Sequence, residues 1–127
     1  SFFTLICGRT PVISLHGLWN GNGKTDTEAR IIQSKNIKKF IDEISGQTIL
    51  CGDFNLRPDT ESIKILDDVM KNLIKIYNVQ STRTRFYKKM EKHADYFFVS
   101  HNIKINHFKV LKDEVSDHAP LLLCCHL

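Results

Sequence analysis

The sequence predicts an α+β domain, on three observations. Short apolar runs recur at 2–7, 11–15, 49–52, 94–100, 103–111 and 120–126, with the lengths of buried strands. Two stretches between them, 27–45 and 60–70, space their apolar residues by the helical period instead. Acids, an amide and histidines stand at the ends of several runs, and residues that a rigid sheet presents on its loops commonly carry chemistry.

Taken in order, Phe2–Cys7 and 11–15 flank Gly8, Arg9 and Thr10 and read as a hairpin or close strand connection. His16 closes the second run, either as a hydrogen-bonded strand-end residue or as a chemical one. The glycine-rich stretch 17–24 ends in Lys24-Thr25, which invites a phosphate-loop reading that the upstream glycine spacing refuses. It reads as one lip of a cleft, with Trp19 packing inward or offering a flat face to a base. A helix is expected from Asp26 or Thr27 to about Ser45, burying Ile37, Phe40, Ile41 and Ile44 and stopped by Gly46. Lys35, Lys38 and Lys39 fall on its solvated side.

The next run ends in Gly52-Asp53-Phe54-Asn55. Strand alternation would put Asp53 and Asn55 on one side and turn Phe54 into the core. A second helix is expected over 60–70, burying Ile63, Leu66, Val69 and Met70; the type of 73–79 stays open. Over 80–93, Arg83, Arg85, Lys88, Lys89 and Lys92 are interleaved with Phe86 and Tyr87. Such a stretch grips a phosphodiester and stacks on a base, or else is a solvated loop; Arg83 and Arg85 are the expected substrate contacts. Asp95 sits inside an apolar run, where an acid needs a partner, and 113–117 is the loop that delivers Asp117 and His118.

Composition narrows the class. A hydrophobic share of 42% and a charged share of 25% are those of an ordinary globular protein. No apolar run reaches the length of a membrane span, and no signal peptide is visible. A net charge of +4 suits a phosphorylated substrate without the strong basic stripe that marks a dedicated nucleic-acid binder. The cysteines Cys7, Cys51, Cys124 and Cys125 lack the spacing of a zinc or redox site. They read as reduced core thiols, which points to a reducing compartment and hence the cytoplasm.

Three motifs in order, Gly52-Asp53-Phe54-Asn55, Asp95-Tyr96 and Ser116-Asp117-His118-Ala119-Pro120, with His16 upstream, resemble the endonuclease/exonuclease/phosphatase superfamily. These are metal-dependent phosphoesterases that include deoxyribonucleases, abasic-site endonucleases, inositol polyphosphate phosphatases and sphingomyelinases. The resemblance implies a four-layer α/β/β/α sandwich with mostly antiparallel sheets. Members run to roughly 200–250 residues, a common size for large single domains. Residues 1–127 are therefore expected to be the C-terminal portion of one such domain, poorly stable by itself because a sheet face would lack its partner.

The resemblance also implies roles. His118 would be the general base that activates water or holds the phosphate, and Asp95 would orient its ring. Asp53 would lie beside the attacking or leaving oxygen, while Asn55 and His16 would donate to non-bridging oxygens from opposite sides. Asp117 would ligate Mg2+ or Mn2+, which favour oxygen ligands. The family's other metal residues, an asparagine and a glutamate at the ends of early strands, have no counterpart in family order, since Asn20 and Glu28 both follow His16. The expectation is metal-dependent hydrolysis of a phosphodiester or phosphomonoester, first of all as a nuclease or phosphodiesterase, with this chain alone inactive. The alternative is a phosphate- or nucleic-acid-binding module without turnover, its catalytic set reduced to turn and cap residues.

Overall fold

The computed structural model describes residues 2–7 and 9–127, the first of these spans by its backbone alone. Each apolar run becomes a strand: β1 (Phe2–Cys7), β2 (Thr10–His16), β3 (Ile49–Asp53), β5 (Asp95–Val99), β6 (Lys104–Val110) and β7 (Leu121–His126), with a two-residue β4 at Lys71–Asn72. The helices are α1 (Glu28–Asp42), α2 (Glu61–Asp67) and the single turn α3 (Leu73–Ile76). Strands β1 to β5 form one sheet in the order β1-β2-β3-β5-β4, and β6 and β7 form a separate hairpin. Among the described residues only the β2–β3 pair is parallel, and α1 is its crossover, as parallel neighbours require. The connection expected at Gly8 falls partly outside the described residues; Cys7 and Thr10 pair on either side of it.

Both long helices begin on threonine caps, Thr27 accepting from the Arg30 N–H and Thr60 from that of Ile63. Each cap satisfies an N–H that the helix itself leaves unpaired. Helix α1 ends at Asp42, short of the predicted Ser45, and Gly46 takes its positive φ of 97° in the loop beyond. The buried face of α1 also departs from expectation. Ile37 and Ile41 are inside, but so are Arg30 and Ser34, whereas Phe40 keeps 38% of its surface exposed.

Apolar side chains cover both faces of the large sheet. Towards the helices, Ile13, Leu15 and Leu50 line a cavity against Ile37 and Phe40 of α1. Phe54, Tyr96 and Phe98 stack together within 5.3–5.9 Å, and the Tyr96 hydroxyl donates to the Leu56 carbonyl at 2.7 Å. On the opposite face Phe97 meets Phe108 of the hairpin edge-on at 5.8 Å. Among the described residues this gives a helix layer, a sheet layer and a second, two-stranded sheet layer. The thiols fit the core reading unevenly: Cys51 is partly buried, but Cys124 is exposed, because it falls on the outer side of the alternating hairpin strand. The Cys7 side chain lies outside the described residues.

Candidate active site

Strand register assembles the acidic centre. His16 pairs with Asp53 across β2 and β3, and Asp53 pairs with Asp95 across β3 and β5. Residues directly opposite each other lie on the same sheet face, so one histidine and two carboxylates form a row at one end of the sheet. The row is possible because β2 and β3 approach closely at Gly52, where an added Cβ would sit 2.0 Å from the Leu15 carbonyl oxygen.

Asn55 reaches the same pocket by a different backbone from the one alternation predicts. Strand β3 stops at Asp53 and Phe54 turns into the core as expected. Asn55 then adopts a left-handed φ of 54°, a conformation that asparagine tolerates better than most residues. Its N–H donates to Asp53 Oδ1 at 2.9 Å, which fixes the carboxylate and the amide relative to one another.

His118 arrives from the far end of the chain and docks onto Asp95. Its Nδ1 lies 2.9 and 3.0 Å from the two Asp95 oxygens, and its Nε2 lies 3.7 Å from Asp53 Oδ2. Nδ1 is thereby the donor, which makes Nε2 of the neutral ring an acceptor. Burial pushes the Asp95 carboxyl above its ordinary range, and the His118 hydrogen bond pulls against that rise.

A short connecting segment locks the two ends together. Arg83 and His118 pair as antiparallel neighbours. The buried Thr82 hydroxyl accepts from the N–H groups of Ala94 and Asp95 at 3.0 and 3.2 Å, while its carbonyl accepts from Ala119 at 2.9 Å. Thr82 thus sets the spacing between Asp95 and His118, a role that nothing in its sequence neighbourhood announces.

The glycine-rich loop is held by two buried cations. Arg30 donates to the carbonyls of Leu18, Gly23 and Thr25, and Lys24 donates to those of His93 and Glu91 at 2.6 and 3.3 Å. Charged side chains are seldom fully buried, so a pattern of polar residues gives no warning of either. The pocket so enclosed is lined by His16, Trp19, Lys24, Asp53, Asn55, Arg83, Tyr87, Lys89, Asp117 and His118. Trp19 stays exposed at its edge and does not pack into the core.

Of the candidate site residues read from the sequence, Asp95 joins this pocket through His118, and Arg85 lies outside it. It is 76% exposed and paired with Glu114 at 2.5 Å, and it lines a second surface depression with Arg83, Val110 and Leu111. Arg83 lines both depressions, whereas Arg85 lines the second alone. Asp117 does reach the pocket, where its Oδ2 accepts from Arg83 Nη1 at 2.8 Å.

The group of side chains able to hold a metal ion, among the described residues, is Asp53, Asp95 and His118, whose ligand atoms lie within 4.8 Å of one another. Asp117 is not in this group. The donor chemistry fits a hard divalent cation at the carboxylates, which offer oxygen, and less well at the imidazole, already engaged by Asp95.

Burial of Lys24, with Arg83 as a second cause, lowers its pKa from 10.5 to about 8. The unfolded chain therefore binds more protons than the folded one between those values, and stability rises with pH through that window. The expected result is a melting temperature that gains between about pH 8 and 10.5 relative to Lys24→Met, followed by thermal scans in parallel buffers.

The sequence model described as the endonuclease/exonuclease/phosphatase family matches residues 4–118. Comparison with curated protein sequences gives no match. Among solved structures, a functionally unknown conserved protein of Enterococcus faecalis superposes with a TM-score of 0.72 at 21% identity, over 92% of this chain and 50% of that one. A mannosyl-6-phosphatase of Bacteroides thetaiotaomicron gives 0.63 at 19% identity, over 93% and 51%. The human Nocturnin catalytic domain, solved with bound sulfate, gives 0.61 at 18%, over 97% and 52%. At such identities the likeness is one of fold, and the chain spans about half the length of these structures.

Proposed function

This chain belongs to the endonuclease/exonuclease/phosphatase family, and from that premise we propose that it carries the histidine side of a divalent-metal-dependent phosphoester hydrolase, acting first of all on phosphodiesters as a nuclease or phosphodiesterase. The observation that carries the reading is the Asp95–His118 contact at 2.9 Å beside Asp53 and Asn55 in one pocket. Catalysis of this kind needs a base for water, donors for the developing charge and a cation at the phosphoryl group.

In the proposed mechanism Asp95 holds the His118 ring with Nε2 unprotonated, and Nε2 takes the proton from the attacking water. Asp53, 3.7 Å from that nitrogen, flanks the attacking or leaving oxygen. Asn55 and His16 donate to non-bridging oxygens. Magnesium or manganese, held by Asp117 with groups from the remainder of the domain, would neutralise charge on the phosphoryl oxygens. Arg83, bonded to Asp117, orients that carboxylate.

Residues 1–127 are proposed as the C-terminal portion of the domain, consistent with their coverage of about half of each matched structure. The cytoplasm is proposed as the compartment from the unpatterned cysteines. No helix among the described residues is long and apolar enough to cross a membrane.

The test compares this chain with an upstream-extended form on bis-p-nitrophenyl phosphate and plasmid DNA, with magnesium or manganese. Turnover is expected from the extended form alone, and His118→Ala should abolish it. An extended, folded, metal-loaded form that stays silent on these and on a panel of phosphomonoesters would return the chain to the class of binding modules.

A further inference from the structure

Two buried cations at the pocket are only partly accounted for by the hydrolytic reading. Lys24 is 2% exposed, and its ammonium meets two backbone carbonyls with no carboxylate in ion-pair contact among the described residues. An ammonium has three N–H donors, so one is left over. The Arg83 side chain is 5% exposed, and its Nε is buried without a hydrogen-bond partner among the described residues. A buried donor left unbonded calls for an explanation.

The two cations share one aromatic ring. The Arg83 guanidinium carbon lies 4.3 Å and Lys24 Nζ 4.9 Å from the centre of Tyr87. The ring attracts both, but the like charges repel each other, and Arg83 is, after burial, the chief cause holding the Lys24 pKa down. Lys89 adds a third cation, 5.7 Å from the Trp19 ring. An anion in the pocket these groups line would relieve the repulsion and offer the remaining Lys24 N–H an acceptor.

We propose that Lys24, Arg83 and Lys89 form a subsite for a second phosphate of the substrate, in the same pocket as the scissile phosphate held by Asn55 and His16. The inference rests on the phosphoester reading and adds the class of ligand: a molecule with two phosphates close together, in preference to an isolated phosphomonoester. If Lys24 served only to tie the glycine-rich loop to Glu91 and His93, ligands with one and two phosphates would bind alike.

Titration calorimetry with inorganic phosphate and with pyrophosphate separates these cases. Pyrophosphate is expected to bind at least about tenfold tighter, as one added charge-assisted contact allows. Lys24→Met should erase that advantage and leave phosphate binding in place. Lys89→Ala, on an exposed side chain, should reduce it and keeps the test decisive should Lys24→Met unfold. Equal affinity for the two anions, or an advantage that survives both substitutions, overturns the subsite. The scissile position is read separately, through loss of phosphate binding in Asn55→Ala. A 5′-phosphorylated dinucleotide and an inositol bisphosphate then distinguish the sources of the second phosphate. The ligand whose gain over phosphate depends on Lys24 identifies the class, and a gain in neither counts against the proposal.

Discussion

Gly52→Ala should strip the chain of about 2–6 kcal/mol of its stability. The position combines two demands that only glycine meets. Its φ is 135°, a region that side chains rarely enter, at a cost of about 1–3 kcal/mol. Its missing Cβ would also stand 2.0 Å from the Leu15 carbonyl oxygen and 2.9 Å from the Leu15 nitrogen. Those are backbone atoms of a paired strand, so no side-chain rotation relieves the clash, and forced overpacking adds about 1–3 kcal/mol. Against a total stability of about 5–15 kcal/mol for an ordinary domain, the sum removes a large share. Gly21→Ala is the control. Its φ of 79° is also positive, but nothing lies within 4 Å of the added atom, so only the conformational cost remains. Urea denaturation of both variants beside the parent checks the difference. A Gly52→Ala unfolding free energy within about 1 kcal/mol of that of Gly21→Ala would mean that β2 and β3 part easily, and the row His16, Asp53, Asp95 would then lack a rigid base.

The same glycine marks how far the sequence could be read. Apolar runs ending on polar residues located the strands within a residue or two, since burial on a sheet face imposes its pattern on the chain. The motifs brought Asp53, Asn55, His118 and Asp95 to attention, and register explains why His16, Asp53 and Asp95 align. What stayed hidden depends on contacts between segments distant along the chain. Arg30 sits on the buried face of α1 because three loop carbonyls wait for it, and Lys24 is buried because His93 and Glu91 come over it. A pattern that assigns charges to the outside places both wrongly. Arg83 and Arg85, alike on paper, differ because Asp117 captures one and Glu114 the other.

In a form of the domain that turns over, Asp95→Asn should cut the rate by about 10²–10⁴, the span by which a positioned general base accelerates proton transfer, with little change in melting temperature. Asparagine keeps the shape of aspartate but turns one oxygen into an N–H donor. At 2.9 and 3.0 Å from Nδ1, the amide can present that donor to the ring. Nδ1 then becomes the acceptor, the proton moves to Nε2, and the nitrogen facing Asp53 can no longer take a proton from water. Stability should hold, since a buried carboxyl whose pKa burial raises gives way to a neutral group of the same size. His118→Ala should cost at least as much, and the double variant little more than either alone, because the two residues act as one unit. The kcat should carry the loss while KM stays near its starting value, as befits an interaction used in the transition state. A merely structural Asp95 would give the reverse pattern: a falling melting temperature, additive losses in the double variant, and a rate restored once the protein is held folded.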